Sequence, residues 1–565
     1  MIKKNYSGVA SAALFCCLVN LPANAAEEDI NTWTNQTTIT GDERLIGDCN
    51  GTTAGGKCFV ESGTLEETIV GTSIRSLGAI PDDGQDDSAA FELAVTNGGT
   101  YYVPPGFYDL SNVEDHTWDS NTVFYGKSGA REATILDMGG AHITRDGGNQ
   151  SHFVLRDGAR VRLFNLSIQN GGDFLDLDGL NGTVHVIHQD NLKWTNTNTW
   201  GWSWSNNTVN ANAKVSRVTI SDSVVFGPSK SQGLFGQGRG YEWVRIDGNE
   251  VIGGGTGIQV GFAADTLAPS EVARNKHVLI TNNRIRGIDG EGFSSETSIA
   301  GINSHATFVT ISGNHLEDID DPSHGPDTAG VYLKSRFYKV LGNTFVDVGR
   351  DEGMVVAKGY DGNQSEPDSC DGSDGSSADG DSQCSKQGII AENHFRNTRS
   401  ISTLDCVWVQ TSDTLIENNY FDGCQRNAVN LPNSNSQYNV TVRNNKIRNL
   451  SGSEMFRHQG TVQDVVYDGN EFIDRSHSGT TRLLTIESGN TTRVTIRNNK
   501  AYINNGTFRV VEVESGATLE DTLIMGNEFS PSATLEVSGG TVTDCLQSSN
   551  RGYGTFGSPG NCPTS

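Results

Sequence analysis

From about residue 215 the chain repeats one short phrase. Successive copies read RVTISDSVVFG, WVRIDGNEVIGG, HVLITNNRIRGI, FVTISGNHLEDI, YKVLGNTFVDV, GIIAENHFRNT, TLIENNYFDGC, VTVRNNKIRNL, VVYDGNEFIDR, VTIRNNKAYIN and TLIMGNEFSPS. Each sets two or three alternating β-formers before a polar pair, which ends in Asn in every copy but the first, then adds another apolar residue. The recurring asparagines are Asn249, Asn283, Asn314, Asn343, Asn393, Asn419, Asn445, Asn470, Asn499 and Asn527, mostly 25 to 34 residues apart. A unit this small can bury its apolar side only against copies of itself, so the period specifies a solenoid with one coil per repeat. The run contains no amphipathic helix of useful length and turns on Gly and Asn. Leucine-rich repeats are excluded by the missing leucines, and a propeller blade needs four strands over roughly 40 residues. The expected fold is all-β, a right-handed parallel β-helix.

In such a coil the β-branched residues stack inward and the asparagines sit at tight bends prone to left-handed backbone. Stacked Asn side chains can hydrogen-bond from coil to coil, which satisfies buried polar groups. Their expected role is structural.

The ends of a solenoid need covers. Residues 78–110, GAIPDDGQDDSAAFELAVTNGGTYYVPPGFYDL, predict a short capping helix with Asp86 or Asp87 at its N-cap, followed by a Gly-Gly turn, a strand and a Pro-Pro-Gly turn. This segment resembles the entry of the pectate-lyase-like superfamily, which includes polysaccharide lyases, polygalacturonases and phage tailspikes. GARVRLFNLSIQNGG (158–172) reads as a further coil. The expected organisation is a signal peptide (1–25), an N-terminal extension (26–75), a β-helix (76–530) with an acidic loop insertion (360–387), and a C-terminal cap (531–565).

The first residues have the three parts of a secretory signal: Lys3 and Lys4, an apolar run Ala12–Val19, and the small-x-small site Ala23-Asn24-Ala25. That run is too short to span a bilayer, and Phe15 before Cys16 argues against a lipid anchor. The chain is expected to be secreted, outside the cell or in the periplasm. Eight cysteines remain after cleavage and fall into neighbours: Cys49 and Cys58, Cys370 and Cys384, Cys406 and Cys424, Cys545 and Cys562. An oxidising compartment makes disulfides their default.

The chain carries 41 basic and 68 acidic residues, a net charge of −27, or −29 without Lys3 and Lys4. Such acidity argues against nucleic acid as a partner. No membrane contact is expected, and the expected state is a monomer. An anionic substrate would need a local basic groove, which directs attention to Lys334, Arg336 and Lys339 in VYLKSRFYKVLGNTF (331–345).

The repeat is broken beside this stretch. Asn343 and Asn393 are fifty residues apart, with an extra strand GMVVAKG (353–359) and then an acidic Gly/Ser-rich stretch without periodicity. Loops of this length often form walls or lids of sites. Its Asp368, Asp371 and Asp374 lack strict calcium-loop spacing. The connection EDIDDPSHGPDTAGVYLKS (317–335) is also lengthened.

LKSRFYKVLGNTF followed by GMVVAKG resembles the central motif of polysaccharide lyase family 6, the β-helical alginate and chondroitin B lyases. Lys334-Ser335 precedes Asn343-Thr344-Phe345 at the family's nine-residue spacing. The resemblance implies β-elimination on an acidic, uronate-containing polysaccharide such as alginate, with Lys334 as the base that removes the C5 proton. It implies Lys358 as the acid, where the family has Arg. The family's following His is missing here, and of its calcium-binding carboxylates only Asp327 falls near a match. A Ca²⁺ cofactor at Asp327 is the corresponding expectation. Arg336 and Tyr332 are expected to contact substrate. The competing reading of Lys334 is a solvent-facing strand lysine.

Other chemistries remain open on the same fold. Asp321, His324 and Asp327 in DPSHGPD resemble the Asp-Pro-His-Asp motif of mannuronan C5-epimerases, with His324 as a catalytic candidate, although turns use the same residues. Glu291, Glu317, Asp318 and Asp320 could supply a hydrolase's carboxylate pair. Trp200, Trp202 and Trp204 alternate in WTNTNTWGWSW (194–204), so they share one strand face and could stack on sugars. A non-catalytic glycan-binding surface protein would use the same fold.

Overall fold

The computed structural model describes residues 45–48 and 57–60, and 71–553 apart from 114–115, 128–130, 139–152, 171–174, 178–179, 181, 196–213, 227–231, 235–239, 262–275, 290–298, 321–326, 352, 359–385, 400–403, 433–436, 451, 475–478 and 504–506. Contacts divide the chain into two units, Met1–Ile69 and Val70–Ser565. In the first, Leu45–Asp48 pairs antiparallel with Lys57–Val60.

The second unit is the expected parallel β-helix. Each strand pairs in parallel with its counterpart one coil later, from Thr72–Ser73 against Tyr101–Tyr102 to Thr518–Met525 against Thr541–Ser548. A strand that returns parallel to itself through a connection takes the right-handed course. The stack continues past residue 530 to Tyr553, so much of the segment read as a C-terminal cap is itself coil. Among the described residues no helix is long and apolar enough to cross a membrane.

The helix α1, Ser88–Asn97, caps the entrance. Its buried Phe91 meets Tyr108 and Phe124 at ring distances of 5.8 and 5.3 Å. Asp87 occupies the N-cap, but its carboxylate accepts from the amides of Ile80 and Asp109 instead of the helix, which ties the cap to the first coils. Gly98 ends the helix with φ +65°.

Each full coil lays strands on three faces. Gly353–Lys358 and Asp405–Val409 belong to the first, Tyr241–Asp247 and His277–Thr281 to the second, and Thr344–Val348 and His394–Arg396 to the third. Inward positions repeat in kind, so like stacks on like: Phe345, Phe395 and Phe421 pile up 4.8 and 4.9 Å apart, nearly parallel.

Asparagine marks the bend between the second and third faces. Asn249 donates its backbone N–H and its Nδ2 to Oδ1 of Asn283, both at 2.9 Å. Nδ2 also donates to the Ile220 carbonyl of the preceding coil at 3.1 Å. The pattern runs unbroken through Asn499 and Asn527 to Asn550, and Ser223 begins it by donating to Asn249. The left-handed residue is not the ladder asparagine itself, as expected, but the one before it: Gly248, Asn282, Gly313, Gly342 and their counterparts. The ladder positions are nearly inaccessible because their amides feed the stack.

Two strands are long. Ile299–Ser312 pairs with Thr256–Val260 near its start and with His277–Thr281 near its end, so it turns from the first face to the second without interruption. Asp327–Leu341 does the same, against Gly353–Lys358 and then Lys386–Ala391.

Candidate active site

The first face carries the candidate site. In Asp327–Leu341, Val331 and Leu333 are wholly buried in the core, so strand alternation turns Tyr332 and Lys334 outward. Both are still nearly covered, at 5% and 9% exposure. Tyr332 packs with Ala300, Ala329, Val356 and Trp408 in a small apolar cluster apart from the core, which places it in packing and not on an open sugar-binding surface.

Register sets the neighbours of Lys334. His305 lies beside it on the preceding strand and Lys358 on the following one. The His305 Nε2 is 2.8 Å from the Asn303 Oδ1. Burial, helped by the nearby charge of Lys334, pushes the His305 pKa down to about 3, so the ring is neutral at ordinary pH.

The lysine cluster read from the sequence is split by a corner. Lys339 is exposed on the second face, whereas Lys334 is covered on the first. The side chains of Arg336, Lys358 and Asp327 lie outside the described ones. Asp321, His324, Trp200, Trp202, Trp204, Glu291 and the acidic stretch with Asp368, Asp371 and Asp374 lie outside the described residues. Among the described residues no three His, Cys, Asp or Glu side chains gather closely enough to hold a metal ion.

Two of the other candidate carboxylates, Glu317 and Asp320, are engaged on the third face. Glu317 lies 3.5 Å from both Arg284 and His315. Asp320 is bridged by Arg350 at 2.8 Å and Arg399 at 2.9 Å. These are surface ion pairs and not a facing pair of acids.

The first face also holds groups that the repeat did not reveal. Asp405 is 1% exposed. It accepts Nδ2 of Asn427 and of Asn430, each at 2.7 Å, and the Asn427 amide at 3.1 Å. Burial outweighs those bonds and pushes its pKa up to about 7. Further along, Arg457 pairs with Glu487, Arg482 with Glu512, and Arg509 with both Glu512 and Glu536. The face therefore runs from a basic end at Lys334 through a proton-holding Asp405 to alternating ion pairs.

Cys406 and Cys424 form the expected disulfide. Cys545 is also disulfide-bonded; Cys562, its expected neighbour, and Cys49, Cys370 and Cys384 lie outside the described residues.

No protein family model matches the chain, and no curated protein matches it. Among solved structures it is similar to the surface protein and adhesin PfbA of Streptococcus pneumoniae, at 15% identity and TM-score 0.40, covering 84% of this chain and 100% of that one. It is similar to the A-module of the mannuronan C-5 epimerase AlgE6 of Azotobacter vinelandii, at 14% identity and TM-score 0.30, covering 84% and 99%. It is also similar to a tailspike protein of E. coli bacteriophage HK620 in complex with a hexasaccharide, at 11% identity and TM-score 0.46, covering 88% and 82%.

Proposed function

We propose that this chain is an exported polysaccharide lyase that cleaves a uronate-containing polysaccharide, such as alginate, by β-elimination on the first face of the helix. The observation that carries the reading is the register of Lys334 between His305 and Lys358 on a covered outer face. Lys334 Nζ takes the proton from C5. The electron pair left behind forms the C4–C5 double bond, the bond from C4 to the glycosidic oxygen breaks, and that oxygen takes a proton from Lys358.

A lysine can act as base only without its own proton, and burial and neighbouring cations both favour that form. His305 is neutral and adds no cation beside the base, so in this reading the proton-free form of Lys334 is favoured by burial and by Lys358 on the following strand. Charge growing on the substrate carboxylate must be stabilised as well, because base and acid contribute only about 10² to 10⁴ each. The disulfide between Cys406 and Cys424 supports an oxidising compartment.

Digestion of alginate, pectate and chondroitin tests the reading. A lyase gives new ultraviolet absorbance from the unsaturated uronate, with one new reducing end for each double bond. No absorbance on any of the three sinks the proposal. Hydrolysis is the second reading. Hydrolysis would release reducing ends with no new absorbance.

A further inference from the structure

The second face carries a surface of a different kind. At one register position, four successive coils place Trp243, His277, Phe308 and Phe337 side by side. Their rings stack in order at 4.1, 5.0 and 4.9 Å, tilted by only 16°, 10° and 8°. Unlike the inward stack of Phe345, Phe395 and Phe421, this one faces out. Trp243 is 55% exposed and Phe308 43%, and Leu279 in the adjoining row is 37% exposed.

These rings floor a groove of about 800 Å³ that also takes in Arg217, Lys339, Asp413 at its far end, and Arg245, which is paired with Asp247. Burial in the core is available to aromatic residues throughout this fold, so a row of them left in water marks a binding surface. Arg217 lies one strand before Trp243, and Lys339 lies on the strand of Phe337. At about 4.8 Å per strand the two cations bracket a floor roughly 19 Å long. Among the described residues neither forms an ion pair, in a chain with a net charge of −27. Its ligand is therefore extended, apolar on one side and anionic.

We infer that this groove is a second, non-catalytic binding site for an acidic polysaccharide chain. The sugar's apolar C–H surface packs on the exposed parts of Trp243 and Phe308, while carboxylates reach Arg217 and Lys339. The groove is separated from Lys334 by the corner of the helix at residues 335–336. It would hold a long polymer on the protein between encounters with the first face. The inference does not depend on what chemistry Lys334 performs.

The test uses the full chain carrying Lys334→Ala, so that nothing is turned over, titrated calorimetrically with an oligomannuronate hexamer, an oligogalacturonate hexamer and neutral cellohexaose. Binding of at least one acidic hexamer and weak or absent binding of cellohexaose are expected. Adding Trp243→Ala and Phe308→Ala should remove one class of site or weaken it tenfold or more. Lys339→Gln should weaken it severalfold and flatten its salt dependence. Trp243→Phe, which keeps an apolar ring, should retain binding and guards against a folding defect in the double variant.

Unchanged acidic-glycan binding in the double variant overturns the inference, as does equal affinity for cellohexaose. Absence of any glycan binding overturns it too, as does self-association of the parent chain that the double variant loses. Product formation by the wild-type chain is read separately from the hexamer titrations, so a failed lyase and a failed groove give different results.

Discussion

Lys334 and His305 occupy the same register position on adjacent strands of the first face, and the charge of one helps keep the other neutral, with a His305 pKa of about 3. Lys334→Ala should lower product formation by about 10² to 10⁴. Lys334→Arg should not restore it, since a guanidinium keeps its proton. Removing the cation should also raise the His305 titration midpoint, which NMR of the ring can follow. A variant with full activity, or an unmoved His305, would contradict the pairing.

Asp405 holds its proton to about pH 7 in the folded chain, against an ordinary value of 3.8. The folded state therefore binds the extra proton between those values. The contribution to stability is present in full below 3.8 and is lost as the pH rises through about 7. Asp405→Asn cannot titrate. Relative to wild type, the variant should gain stability with rising pH across that window, at up to about 1.4 kcal/mol per pH unit. Urea unfolding at several pH values measures the slope, and parallel curves would refute it.

Asn419 satisfies partners on both sides: its Oδ1 accepts N–H and Nδ2 of Asn393, and its Nδ2 donates to Ile390 and to Asn445. Asn419→Ala leaves buried donors and an acceptor without partners, at a cost of about 3 kcal/mol. Denaturant unfolding should show it, with strand content intact in the folded state. A loss near zero would mean the neighbouring coils close over the gap.

The Cys406–Cys424 bridge spans 18 residues. Replacing both cysteines by alanine should cost about 3 kcal/mol, the value for closing a loop of this size. The double variant and the reduced wild type should unfold at similar urea concentrations. A reduced chain as stable as the oxidised one would deny the bridge any such role.

The second and third faces were legible because the repeated phrase covers them: strand, bend, strand. Asn249 to Asn527 share one sequence context, absent at Asn550 because SSNRGY lacks the usual β-formers around it. The outward aromatic row was also written in the copies, since Trp243, His277, Phe308 and Phe337 each precede an inward Val or Tyr. The first face was harder to read. Its strands fall between copies, beside connections of varying length, so no period linked His305 to Lys334 or exposed Asp405. Lys334 and Lys358 were matched through a motif whose Phe345 is a core stacking residue, and this explains why half of that motif recurs elsewhere in the chain.

The unbroken passage of Asp327–Leu341 from one face to the next has an evolutionary corollary. Deleting a single residue at Ser335 would leave Lys334 in place but reverse the parity of everything after it, driving Phe337 toward the interior and Tyr338 out. Natural variation in this molecule should therefore leave the residue count of this elbow untouched.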